Sequence, residues 1–492
     1  MKKQSFLYGA TVLAAASILC KIMSAALKIP LDRLFLHEEG IGAYQSAYSI
    51  YNVILAICVT GIPIALSKLI AESDEKEAAS LTKSTFVFVT GAISIIGVIL
   101  FIFADPLARF LSGGGEAVAA PGLRVLAIAF PFMGIISSRR GYFQGKSTMT
   151  PSGVSQLAES LAKVILGIGV CAVTYKFGTS YGVAGALSGV SIGAICAALV
   201  LEIAFHRAKA EKGKASFSKA WNVFKFSLPV TLGAFAFTAV MLLDTLTVPQ
   251  ILSNMGIGSD ERLKLFGYLT RANTIYNLPA TIITAFTASA VPALVYTAEN
   301  KEKLSETATK VIKLIFLVAL PCALGMILFP KELLRLIYSS QSHWQLMVLV
   351  GVMVLIMPYI QTTTAMLQTL GRTWMPIWIS VGAIVLKAVL NVLFMKIFGI
   401  EGAVLATVTA FLVAAIINTV LLLRATPLKG GARIVIKLVL CALISCGGAK
   451  ILYSLTGGTL MLLASVGFAA LSYLVLVIKT KCLTIDEFER GQ

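Results

Sequence analysis

The chain has 492 residues, 58% of them hydrophobic and only 13% charged, with a mean hydropathy of +0.88. That balance excludes an ordinary soluble protein or a disordered one and points to a chain filled with membrane spans. The formal net charge of +18 is accounted for by basic loops beside anionic lipid headgroups, so membrane lipids are the expected partners and nucleic acid is not.

A helix needs about 20 apolar residues to cross the hydrocarbon core. In chain order, spans are expected at 6–28, 44–67, 84–104, 123–143, 152–175 and 181–205, then at 224–250, 268–296, 309–330, 344–370, 374–397 and 400–424, and last at 434–453 and 458–479. The first follows Lys2-Lys3 and could be a signal peptide. Its apolar run continues through Lys21 to Ile29, however, and Leu19 before Cys20 lacks the small residue of a lipoprotein cleavage site. It is read as an uncleaved first span. The expected fold is an all-α polytopic membrane protein of about fourteen helices. Its parts are an N-lobe at 1–215, a C-lobe at 216–428, two extra helices at 429–482 and a cytoplasmic tail at 483–492.

The two lobes read as rough copies. Phe130-Pro131-Phe132, Gln144-Gly145, Pro151, Lys163, Phe177-Gly178 and Gly185-Ala186 are followed, in the same order, by Met357-Pro358-Tyr359, Gln368 with Gly371, Pro376, Lys387, Phe398-Gly399 and Gly402-Ala403. Duplicated halves with a substrate path between them are a common construction of transporters. Prolines within spans, among them Pro63, Pro131, Pro292 and Pro358, remove helix hydrogen bonds and permit bends.

With the N-terminus inside, 26 of the 41 Lys and Arg fall on the inner side, 12 fall outside and three (Lys21, Lys163 and Lys387) lie within spans. Both termini are therefore expected in the cytoplasm of a multi-pass cell-membrane protein. The eight cysteines form no Cys-x-x-Cys pair, and the three histidines have no metal-ligand spacing, so neither a zinc site nor a disulfide framework is expected. Gly141-Tyr142-Phe143-Gln144-Gly145-Lys146-Ser147 places three residues between its glycines where a phosphate-binding loop needs four. No cofactor and no enzymatic activity are expected. Uphill movement would draw on membrane potential or on coupled Na⁺ or H⁺.

Ionisable groups within spans cost at least about 2.5–3.5 kcal/mol each at the bilayer centre. They are Lys21, the i, i+4 pair Glu159 and Lys163, Asp244, Arg271 and Lys387. Glu159 and Lys163 can pair on one helix face, Arg271 can snorkel to the outer interface, and Asp244 can act as counter-ion to Lys21 or Arg271. Arg139-Arg140, at the inner end of span four, are read as orientation signals. Four cations stand against two carboxylates, an excess suited to an anionic cargo because cations offset the desolvation of phosphate oxygens.

Glu38-Glu39-Gly40-Ile41-Gly42-Ala43-Tyr44-Gln45, Gly61-Ile62-Pro63 through Ala71-Glu72, Leu243-Asp244-Thr245-Leu246-Thr247-Val248-Pro249, and Tyr268-Leu269-Thr270-Arg271 with Asn277-Leu278-Pro279 resemble the stage V sporulation protein B group. That group belongs to the multidrug, oligosaccharidyl-lipid and polysaccharide exporter superfamily, which includes the bacterial lipid II flippases. The resemblance implies two six-helix lobes rocking around a central cavity, with the last two helices lining a groove for a polyprenyl tail. It also implies cavity cations on spans one, two and eight; Lys21 and Arg271 match on spans one and eight, whereas span two departs from the pattern, with no Arg or Lys before its inner end. The expected function is translocation of an undecaprenyl-pyrophosphate-linked saccharide, a peptidoglycan precursor or polysaccharide repeat unit. Lys21, Arg271, Lys387 and Lys163 would bind substrate, and Asp244 and Glu159 would position charge or couple an ion. A drug/cation antiporter and a non-transporting scaffold for wall or spore enzymes are the alternatives. A monomer is expected, with cell-wall synthesis enzymes as candidate partners.

Overall fold

The computed structural model describes residues 6–208, 213–297, 301–372, 374–425, 431–480 and 482; within these helices, the side chains of 6–14, Lys21, 232–237 and 284–297, among others, lie outside the described set. Every regular element among the described residues is helical, as a chain in lipid requires when no water is present to satisfy its backbone. Large apolar side chains such as Ile99, Ile165 and Val385 face outward. The chain divides into two units, Met1–Thr270 and Arg271–Gln492.

The first unit runs α1 (Phe6–Leu31), a π-helical turn (Asp32–Leu36), α2 (His37–Leu55), a second π-helical stretch (Ala56–Gly61), α3 (Ile62–Ala71), α4 (Glu75–Ile102) and α5 (Ala104–Leu111). It continues with α6 (Ala120–Ala127), α7 (Phe130–Gly145), α8 (Thr150–Thr174), α9 (Thr179–Arg207), α10 (Phe217–Asn254) and the start of α11 (Ser259–Thr297). The starts are legible locally. The Asp74 carboxylate accepts from the Glu77 N–H at 2.7 Å and caps α4. Pro121, Pro131 and Pro151 occupy the first turns of α6, α7 and α8, where a missing N–H costs nothing. Pro131 also marks where span four breaks, with α6 and α7 meeting at a 41° bend.

Helices α8 and α9 pack at close range because glycine removes the side chains between them. A Cβ on Gly189 would stand 2.5 Å from the backbone of Gly167 and the Lys163 carbonyl, and one on Gly193 would stand 2.7 Å from the Glu159 carbonyl. This seam sets the height of Glu159 and Lys163.

The second unit continues α11 and adds α12 (Lys301–Leu328), α13 (Pro330–Tyr338), α14 (Trp344–Thr369), α15 (Trp374–Phe398), α16 (Glu401–Ala425), α17 (Gly431–Thr456) and α18 (Thr459–Lys479). The repeat is visible in the packing of its motifs. Gly185 of the first Gly-Ala pair would meet the backbone of Cys171 on α8 at 3.0 Å, and Gly402 of the second would meet the Phe394 carbonyl on α15 at 2.4 Å.

Each of the fourteen expected spans overlaps a helix. By length and apolarity, ten helical stretches of the described residues can cross a membrane, or eleven if the bent α6–α7 pair counts as one span. One of the ten, Ala15–Ala71, is 57 residues long and takes in the later part of the first expected span and all of the second; α10 and α11 are not among them. The division into compact units falls at 270/271, a boundary of packing distinct from the lobe boundary at 215/216 read from the repeat. The cause is α10, which packs on the first unit: its Thr231 side chain fills the space beside Gly61, Thr245 hydrogen-bonds Ser49 on α2 at 2.9 Å, and the Ser216 N–H donates to Ser84 on α4 at 2.9 Å.

Candidate functional site

Helix α2 carries a close-set run of polar side chains. Tyr44, Tyr48 and Tyr51, spaced four and three residues apart, fall on one helix face. Their rings stack with centroids 5.6 and 5.7 Å apart, and Tyr51 leans on Phe130 at 6.4 Å. Gln45 and Ser49 form the adjacent row, with the Gln45 amide donating to Ser49 at 3.0 Å.

Two ammonium groups reach this helix from either side. Lys28, in the last turn of α1, where the helix dipole favours a cation, donates to the Gln45 carbonyl oxygen at 2.7 Å. Lys163, on α8, donates to the Tyr48 hydroxyl at 2.6 Å. Both stand over the Tyr48 ring, at 5.7 and 4.4 Å from its centroid. Lys163 is buried. A hydrogen-bond chain continues from Lys28 through Gln45 and Ser49 to Thr245 on α10, one residue from the buried Asp244.

The pairing expected between Glu159 and Lys163 does not form. Arg140, reaching across from α7, donates to Glu159 at 2.9 Å and to Ser155 at 3.1 Å, so the carboxylate is taken by a guanidinium with fixed donor geometry, and Lys163 turns to Tyr48. Arg139 and Arg140 are correspondingly not loop charges. Arg139 is buried against Glu202 on α9 through two hydrogen bonds of 2.7 and 2.9 Å, with the Phe205 ring centroid 3.7 Å from its guanidinium. Both arginines are neutralised within the unit. The described hydrogen bonds of Lys28 and Lys163, by contrast, go to neutral oxygens.

In the second unit, Arg271 is buried with its guanidinium 5.1 Å from the Tyr338 ring centroid. Lys387, on α15, the counterpart of α8 in the repeat, is fully enclosed, one turn from the equally buried Asn391. The side chain of Lys21 lies outside the described residues. Lys28 escaped the sequence reading because it ends the first expected span and counts with the outer loop; the signal present was a lysine one turn inside Leu31, followed on α2 by Gln45 and three tyrosines at helical spacing. Among the described residues no group of three His, Cys, Asp or Glu side chains is placed to hold a metal.

Residues 6–297 match the family described as Polysaccharide biosynthesis protein, and residues 266–393 match MatE. Stage V sporulation protein B of Bacillus subtilis is 27% identical over 515 aligned residues, covering 100% of this chain and 98% of that protein. The lipid II flippase MurJ of the same organism is 23% identical, over 85% of this chain and 82% of its own length. In fold, the chain is similar to the lipid II flippase MurJ in its inward closed conformation, with a TM-score of 0.73 at 14% identity over 96% of this chain and 99% of that one. It is also similar to an inward-facing multidrug resistance MATE family transporter, with a TM-score of 0.68 at 19% identity over 83% and 95%. These likenesses agree with the all-helical polytopic architecture. Because the family match takes in more than half of the sequence, together with the tyrosine-bearing helix and both lysines that flank it, the protein belongs to the polysaccharide biosynthesis protein family.

Proposed function

We propose that this protein is a flippase that moves an undecaprenyl-pyrophosphate-linked saccharide, a peptidoglycan precursor or a polysaccharide repeat unit, across the cytoplasmic membrane by alternating access. The observation that carries the reading is the pair Lys28 and Lys163, two ammonium groups within membrane helices whose described hydrogen bonds end on a neutral amide and a neutral phenol. Buried cations are costly unless an anion compensates them, and a lipid-linked pyrophosphate supplies that charge during transport. The names of the relatives, a lipid II flippase and a sporulation protein, support a lipid-linked precursor as cargo.

In this reading Lys28 and Lys163 hold phosphate oxygens, Lys21, Arg271 and Lys387 are further cations for the headgroup, and Glu159 positions Arg140. Both termini lie in the cytoplasm, the protein acts as a monomer, and it hands cargo to cell-wall synthesis enzymes. Membrane potential resets the positively charged site, one charge through 100 mV being worth about 2.3 kcal/mol. The test is reconstitution in vesicles with a fluorescent lipid-linked saccharide whose exposure on the far leaflet is followed by quenching. Lys28→Ala and Lys163→Ala should each slow translocation more than tenfold with insertion intact; full rates in both variants would refute the assignment.

A second reading, a cation antiporter, is favoured by one observation: Asp244 is buried on α10 in a fold similar to a multidrug transporter. It predicts that Asp244→Asn abolishes drug efflux driven by a Na⁺ or H⁺ gradient.

A further inference from the structure

The two lysines of the first unit are held by acceptors that share one helix. Gln45 and Tyr48 stand three residues apart on α2, so their side chains project from the same face. Lys28 meets the first from α1, and Lys163 meets the second from α8. Each acceptor is an uncharged oxygen at a short distance, 2.7 and 2.6 Å, and each presents to an ammonium the one thing a phosphate oxygen would present, without its charge. The two arginines nearby are treated differently, since each has a carboxylate of its own.

We infer that Gln45 and Tyr48 are internal stand-ins for the oxygens of a dianionic phosphate-class ligand, which takes Lys28 and Lys163 from them when it binds. This deepens the flippase reading and rests on its assignment of an anionic cargo. A carboxylate in either place would compete too strongly, because it would add a full opposite charge beside the ammonium in low-dielectric surroundings. An apolar residue would leave an ammonium unsatisfied in the membrane. A neutral oxygen keeps each lysine extended and yields to an anion. Displacement also has a mechanical side. The Tyr48 ring is stacked between Tyr44 and Tyr51, so it leaves together with its helix. That helix is bounded by π-helical stretches at Asp32–Leu36 and Ala56–Gly61, a geometry frequent at functional sites.

The experiment is calorimetric titration of inorganic pyrophosphate into the detergent-solubilised full-length protein and its variants. Tyr48→Phe keeps the ring and its stacking but removes the competing oxygen, and Gln45→Met keeps the length of the side chain. Each should bind pyrophosphate about tenfold more tightly than the parent, the scale set by one hydrogen bond to a charged group, and Lys163→Ala should lose that gain in the Tyr48→Phe background. If the two oxygens only brace the helices, Tyr48→Phe will lower the unfolding temperature and leave pyrophosphate affinity unchanged or weaker, which overturns the inference, as does the absence of binding in every variant. Tightening without any flipping of lipid-linked saccharide would leave the stand-ins in place and sink the cargo assignment instead. Flipping without tightening would sink the stand-ins alone.

Discussion

Arg140 and Glu159 show how a residue's partner decides what its charge is for. The Arg140 side chain is 2% exposed and that of Glu159 21%, so removing Glu159 leaves an enclosed guanidinium unpaired and removing Arg140 leaves a carboxylate that is only partly hydrated. Breaking such a pair typically costs about 3–5 kcal/mol, whereas replacing both members by apolar residues of similar volume is often neutral. Arg140→Met should therefore lower the unfolding temperature strongly in detergent, and Arg140→Met with Glu159→Met should recover most of the loss. A double variant no more stable than the single one would show that Arg140 acts through Ser155 rather than Glu159. Presence of these charges was legible in the sequence, because an ionisable residue inside an apolar run stands out in any hydropathy reading. Their pairing was not. Spacing along α8 brought Glu159 and Lys163 to one face, but the competing donor comes from α7, 19 residues earlier in the chain, and no local pattern reports such a contact. Lys28 was hidden for a different reason: a lysine at a helix end looks the same in sequence whether it meets water or Gln45.

At the scale of elements, the agreement is closest where composition alone decides. Apolar runs long enough to span a bilayer became helices, and prolines at 121, 131 and 151 mark helix starts. The break between α6 and α7 and the short helices α5 and α13 lie outside what an apolar run can reveal, and so do the π-helical stretches around α2, whose extra residue per turn leaves no compositional trace. Glycine positions are the exception in which sequence and packing meet. Replacing Gly189 or Gly193 with leucine would force α8 and α9 apart, and overpacking of this kind costs typically 1–3 kcal/mol. Thermal unfolding should drop by several degrees for either variant. Gly169→Ala, on α8 with no atom within 4 Å of the added Cβ, should leave stability unchanged or raise it by up to about 1 kcal/mol through helix propensity. Equal losses at 169 and 189 would remove the seam as the explanation.

For the molecule as a whole, the charge asymmetry of the loops makes a topological prediction. Reporter fusions at residue 1 and residue 492 should both be active on the cytoplasmic side, and one after Gly178, in the short turn between α8 and α9, should report the opposite side. Fusions at the two ends that disagree would invert the inner–outer assignment of every loop. The repeat predicted two lobes, and two units exist, but the repeat locates a boundary by descent while packing locates it by contact. Helix α10 belongs to the second copy in sequence and to the first unit in space, because Thr231 and Thr245 dock on α2 and its π-helical neighbour.

The boundary itself falls between Thr270 and Arg271, in the interior of the uninterrupted helix α11. The backbone is helical on both sides of that boundary, and a helix has a phase. Adding one residue after Thr270 would turn everything beyond it on that helix by roughly 100°, while adding four would return it to within about 40° of its starting angle. Vesicle translocation should consequently survive a four-residue helical insertion far better than a one-residue insertion, a non-monotonic length dependence that a slack tether would never produce.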